Sequence, residues 1–320
     1  MKQIFISLTA IFITASFVFG QTGSEKFSKQ TGSSDKSETI NKGNNNKLET
    51  LFIENSAILP RAVELNNQGI RLTLKKDYQN ALELFKQADC LAPRNEQILF
   101  NLGTALLNLK RDSEAVAVFA KIIETVPTNA NAYASLGLAL NKVGKTADSF
   151  SAFRRSLEIA PNDPVTLCNY ANALHQAGKD AEALAIVNQA IKLPAGDFSA
   201  AYNIRGTILF SLKKYGEAKT DFEAAARLDP ANADPLNNLG VVFSREGNKK
   251  KALKYFLASE RLAPDWEDVA YNLALNFSET GNREKSREYL LKLENSNPAI
   301  AEELKKDLLG KYVLDVSKIK

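Results

Sequence analysis

The chain has 320 residues, 44% hydrophobic and 24% charged, the proportions of a globular protein with room for a sizeable core or for two domains. Charge is nearly balanced at +4 and no basic stripe is interleaved with aromatics, so a nucleic-acid partner is not expected. Two cysteines, Cys90 and Cys168, cannot supply the dense disulfide framework of a small stapled domain, so stability must come from packing.

In chain order, Lys2 is followed by an apolar run from Ile4 to Phe19, then by Val18 and Gly20 at the −3 and −1 positions of a cleavage site before Gln21. A run of this length is short for a membrane span, so residues 1–20 read as a signal peptide and the protein as exported, periplasmic or extracellular. The alternative is a membrane anchor formed by residues 4–19, and membrane contact is expected only if that segment stays uncleaved. Residues 21–47 are rich in Ser, Thr, Gly, Asn and Lys. Too little apolar surface is present to offset ordering entropy, which predicts a flexible linker. The apolar stretch "LFIENSAIL" precedes Pro60, so residues 48–61 read as an N-terminal capping segment. A sharper alternative places that stretch in the protein's own groove as an autoinhibitory element.

From residue 62 the chain repeats. Gly69, Gly103 and Gly137 lie 34 residues apart, as do Gly206 and Gly240, with Ala171 and Ala274 completing the register. Twelve residues after each comes a small residue (Ala81, Ala115, Ser149, Ala183, Ala218, Ala252, Ser286), and four further on a large apolar one: Phe85, Phe119, Phe153, Val187, Phe222, Phe256 or Leu290. Most units close on a proline, from Pro93 to Pro298, and the fourth unit is one residue longer than the rest. Within a unit, Tyr133, Leu136, Leu140 and Val143 are spaced as one face of a first helix, and Phe150, Phe153, Leu157 and Ala160 as one face of a second. Gly144, Gly178, Gly247 and Gly281 follow the first helices, where a left-handed residue ends a helix at least cost.

This pattern resembles the tetratricopeptide repeat family, whose unit is a helix–turn–helix of about 34 residues. Seven copies fit, at 62–95, 96–129, 130–163, 164–198, 199–232, 233–266 and 267–300. The resemblance implies an all-α, right-handed superhelical solenoid. Solenoids need covered ends, and "AIAEELKKDLL" supplies a C-terminal capping helix over 299–309, with 310–320 left as a tail.

Chemistry is harder to find. Gly144, Lys145 and Thr146 match the end of a phosphate-binding loop, but Ala139 stands where the motif needs glycine, and the string joins two helices. His175 is the only histidine and has no ligand set around it, so a polar surface residue is expected. Cys90 and Cys168 are separated by two repeats, beyond the ~7 Å limit for a disulfide, and read as buried spectators. The densest basic run, Arg245, Lys249, Lys250, Lys251 and Lys254, reads as a solvated turn. No catalytic, metal or cofactor site is expected.

The family resemblance implies a concave groove lined by first helices, which accepts an extended peptide or a partner's helix. At its sixth register position stand Asn67, Asn101, Ser135, Asn169, Ile204, Asn238 and Asn272. An amide both donates and accepts, so this column has two readings: a ladder for a peptide backbone, or hydrogen bonds that orient adjacent repeats. Phe100, Leu107, Phe210 and Tyr271 add apolar groove positions. The expected protein is a non-catalytic scaffold or adaptor with a protein or peptide partner. Fold-level analogy adds a role in envelope or secretion-complex assembly, and a self-associating solenoid is the alternative.

Overall fold

A computed structural model describes residues 45–193 and 199–316, with side chains over 59–193 and 199–308. The expected signal peptide, nearly all of the expected linker, Pro194 and the last four residues lie outside the described residues.

Every described element is a helix. Seven pairs follow one another: α1 (Asn45–Leu74) with α2 (Tyr78–Leu91), α3 (Glu96–Asn108) with α4 (Asp112–Thr125), α5 (Ala130–Lys142) with α6 (Thr146–Ile159), α7 (Pro164–Gln176) with α8 (Asp180–Lys192), α9 (Ser199–Ser211) with α10 (Tyr215–Leu228), α11 (Asp234–Arg245) with α12 (Lys249–Leu262), and α13 (Glu267–Glu279) with α14 (Arg283–Ser296). A last helix, α15 (Pro298–Val316), follows them. The described helices fall into two compact units that divide after Pro161: three pairs in the first, and four pairs plus α15 in the second. Within each unit, every paired helix packs on its pair mate, and each second helix also packs on the first helix that follows it.

The helices begin and end for local reasons. Asn95, Asn129 and Asp163 stand just before α3, α5 and α7, and their side chains accept from backbone N–H groups of the first turn. Asp77, Asn248 and Asn282 do the same for α2, α12 and α14. Between pair mates the chain reverses through one left-handed residue. Four of these are the glycines named above, with φ between 75° and 84°, while repeats one, two and five place Lys76, Lys110 and Lys213 there at φ 58° to 62°. The turn is therefore common to all seven repeats, although glycine marks it in only four.

The eighth position of each repeat sets how closely its helices approach. A Cβ added at Gly103 would lie 2.6 Å from the Phe119 ring, and at Gly69, Gly137, Gly206 and Gly240 between 2.5 and 2.9 Å from Phe85, Phe153, Phe222 and Phe256. Each of these phenylalanines is essentially fully buried. The small residues at the twentieth position are buried as well, and Ser149 uses its place to donate to the Gly137 carbonyl at 2.7 Å. A second tie joins the outer ends of the pair: Ser156 and Ser259 each donate to a carbonyl 26 residues earlier, at Ala130 and Ala233. In repeat five the roles exchange, and Ser199 donates to the Ala225 carbonyl.

Two boundaries differ from the sequence reading. The segment before repeat one continues into α1 without a break, through Pro60. The ring removes one intrahelical hydrogen bond there, and the helix carries on. At the other end α15 extends to Val316, past the expected capping span. Ala301, Leu304 and Leu308 bury against α13 and α14, in one cluster with Tyr271, Leu275 and Leu293.

Candidate protein-binding face

The first helices carry the candidate residues. In repeats two, six and seven the sixth-position amide reaches back to an asparagine 35 residues earlier. Asn101 Nδ2 donates to Asn66 Oδ1 at 2.8 Å, Asn238 to Asn203 at 3.0 Å, and Asn272 to Asn237 at 2.9 Å. Three members of the column thus spend their donors on the preceding first helix. Asn238 and Asn272 are buried, Asn101 is half-buried, and Asn169 is buried too. Asn67 is exposed. Of the two readings, these bonds support the one in which the amides orient adjacent repeats. Sequence contained the signal, because Asn66, Asn203 and Asn237 all occupy fifth positions, each in the repeat before its partner.

The apolar candidates divide. Phe100 is half-buried, its ring edge-on to Phe119 with centroids 5.8 Å apart. Leu107 is buried in the core of the first unit, and Phe210 in that of the second, edge-on to Tyr215. Tyr271 does not line an open groove. It is fully buried, and its hydroxyl donates to Asp307 Oδ2 of α15 at 2.8 Å. Desolvation, followed by the Asp307 bond and charge, pushes the phenol well above its ordinary range.

Accessible apolar surface collects instead on α1. Leu59, Val63, Asn67, Ile70 and Leu74 recur at helical spacing, and Leu59, Val63 and Leu74 are 57%, 50% and 64% exposed. Val63, Asn67, Ile70 and Leu74 hold the second, sixth, ninth and thirteenth positions of repeat one. On α3 and α5 the half-buried Asn101, Thr104, Ser135 and Leu138 hold sixth and ninth positions, and the half-buried Phe100 stands at the fifth position of repeat two.

Other polar groups have structural partners. His175 Nδ1 lies 2.6 Å from Asp180 Oδ1 and its side chain is only 12% exposed, so it ties α7 to α8 and is not the surface residue expected. The carboxylate was invisible to ligand-spacing rules because it sits across a turn. Arg205 donates through Nε and Nη2 to both oxygens of Asp221 and through Nη1 to Asn188, joining repeats four and five. Cys90 is exposed, against expectation, since it lies on the outer face of α2. Burial pushes the Cys168 thiol up to about 12. Among the described residues no cluster of His, Cys, Asp or Glu is arranged to hold a metal ion. No described helix is long and apolar enough to cross a membrane.

Stacked antiparallel helix pairs with a small-against-large seam define an α-helical repeat protein. Models described as "Tetratricopeptide repeat" match residues 72–139, 130–163, 152–185 and 233–265, and one described as "TPR repeat" matches 206–247. Together they span more than half of the sequence, and the chain belongs to the tetratricopeptide repeat family. No curated protein matches it. Solved structures similar to it include PilF of Pseudomonas aeruginosa (TM-score 0.55, 18% identity, 66% of this chain and 97% of that one). PilW, described as a widely conserved type IV pilus biogenesis factor, gives 0.57 and 18%, covering 67% and 98%. The APC/C hetero-tetramer Cut9–Hcn1 gives 0.59 and 14%, with 72% of this chain but only 46% of the matched one. At these identities the likeness is one of fold.

Proposed function

We propose that the protein is a non-catalytic scaffold or adaptor that holds a partner's extended peptide or helix against the first-helix face of repeats one to three. The observation that carries this reading is the exposed apolar stripe of α1, Val63 and Leu74 above all, with the half-buried Phe100 and Leu138 on the first helices that follow. Contiguous apolar surface rimmed by polar residues marks interaction sites. Asn67 and Ser135 beside it bring the capacity to pair with a backbone. Membership of an interaction-repeat family supports the same conclusion. Export, read from residues 1–20, and the description of PilW as a pilus biogenesis factor together favour work in the cell envelope.

The test is selection of displayed random peptides on the full chain. Enrichment should fall at least about tenfold in a Val63→Glu/Leu74→Glu variant, given one buried apolar contact per site, with melting unchanged. Equal enrichment on both proteins would remove this face from the function. Leu59 extends the stripe beyond the repeat register, which favours self-association as the second reading. A dimer mass in light scattering, lost in Leu59→Glu, would establish it.

A further inference from the structure

The second helices of repeats five to seven begin along an edge dense in lysine. Lys213 ends the turn before α10, Lys219 lies on α10, Lys250, Lys251 and Lys254 on α12, and Lys285 on α14. Neighbouring cations are neutralised: Lys214 pairs with Glu217 at 3.3 Å, and Lys249 with Glu279. The six lysines have no ion-pair partner among the described residues. Two of them converge, with Lys219 Nζ 5.3 Å and Lys251 Nζ 5.1 Å from the centroid of the same Phe243 ring. Lys285 stands over Phe277 in the same way one repeat on.

Folding alone does not favour this arrangement. Helices α4, α6, α8, α10 and α14 each place a carboxylate in the first turn, and α2 has one at its cap. That choice suits the positive end of a helix. Helix α12 has none and opens on three lysines. Like charges gathered against the helix dipole, and against one another over one ring, are an electrostatic cost that an external anion would offset. The chain's own residues 21–44 carry four lysines against three acids, so they cannot neutralise the edge.

We propose that this lysine edge docks the protein on an anionic lipid surface. Lysine is a compact point charge, suited to the diffuse attraction of a charged surface, whereas forked recognition of a single carboxylate or phosphate would favour the guanidinium of arginine. Leu212, 42% exposed and next to Lys213, adds an apolar group at the same edge. The site uses a different unit from the peptide-binding face, so one does not depend on the other.

Co-sedimentation of the full chain with vesicles tests this. Vesicles of phosphatidylcholine alone report whatever residues 4–19 contribute, and the excess on equal phosphatidylglycerol and phosphatidylcholine is the quantity read. Each lysine is worth about fivefold at such a surface, so Lys250→Glu/Lys251→Glu/Lys254→Glu should reduce the excess by about a hundredfold or more. Salt should abolish it in the wild type. The same variant should melt no lower than the wild type, because the new carboxylates suit the start of α12. A purely structural role would move melting and leave partition alone. No excess on anionic vesicles, or an excess the variant retains, would overturn the proposal. So would retention on a polyglutamate column without vesicle binding, which would assign the edge to an acidic protein.

Discussion

Repeats two and four build the same helical pair from different residues. In repeat two the eighth position is Gly103, and it faces Phe119, whose ring leaves no room for a Cβ. Repeat four has Ala171 at that position and Val187 at the one Phe119 occupies, both fully buried. The other repeats divide likewise: four more pair glycine with phenylalanine, and repeat seven pairs Ala274 with Leu290. What is kept constant is that a small residue on the first helix faces a larger one on the second. One carbon gained on the first helix is matched by a smaller partner on the second, as close packing demands.

The largest break in this rule is Phe119→Ala, which empties the seam of repeat two and should cost about 3–5 kcal/mol in urea denaturation. Gly103→Ala should cost about 1–3 kcal/mol by overpacking, since its new carbon would meet the ring at 2.6 Å. The sharper test combines Gly103→Ala with Phe119→Val, which rebuilds the pair of repeat four. The double variant should be more stable than the summed single effects by about 0.5–3 kcal/mol. Strict additivity would show that the two positions are chosen independently.

Much of this was legible beforehand, because a 34-residue register and a partner sixteen residues on are linear facts of the sequence. The fold followed from them. The binding face followed less well, for reasons that the same residues make clear. Register assigns a residue to a side of its helix but cannot say what the next helix does to that side. Tyr271 holds a groove position, yet α15 folds over it and takes its hydroxyl to Asp307. Asn238 holds one too, and Asn203 takes its amide. At α1 the reverse happens: no repeat precedes it in register, and Val63 and Leu74 stay exposed.

The asparagine pairs allow a smaller test of the same contrast. Asn238→Ala leaves the Oδ1 of Asn203 buried without its donor, and should cost about 1–3 kcal/mol. Asn101→Ala, at a half-buried pair, should cost closer to about 1 kcal/mol. Peptide selection should be unaffected by the first change. If Asn238→Ala left the urea midpoint in place but removed a selected peptide, the column would be a ligand ladder after all.

The turns give the finest comparison between repeats two and four. Both reverse through a left-handed residue, Lys110 at φ 58° in one and Gly178 at φ 75° in the other. A side chain in that conformation costs about 1–2 kcal/mol. Glycine avoids the cost but returns about 0.4–1 kcal/mol through the greater freedom of its unfolded chain. Lys110→Gly should therefore raise stability by only ~0.5–1 kcal/mol, seen as a small rise in urea midpoint with an unchanged slope. Gly178→Lys should lower it by a similar amount, because nothing lies within 4 Å of its Cβ position and backbone strain is the whole effect. A loss on replacing Lys110 would mean that its side chain holds the turn, and that repeat two is not simply a repeat still waiting for its glycine.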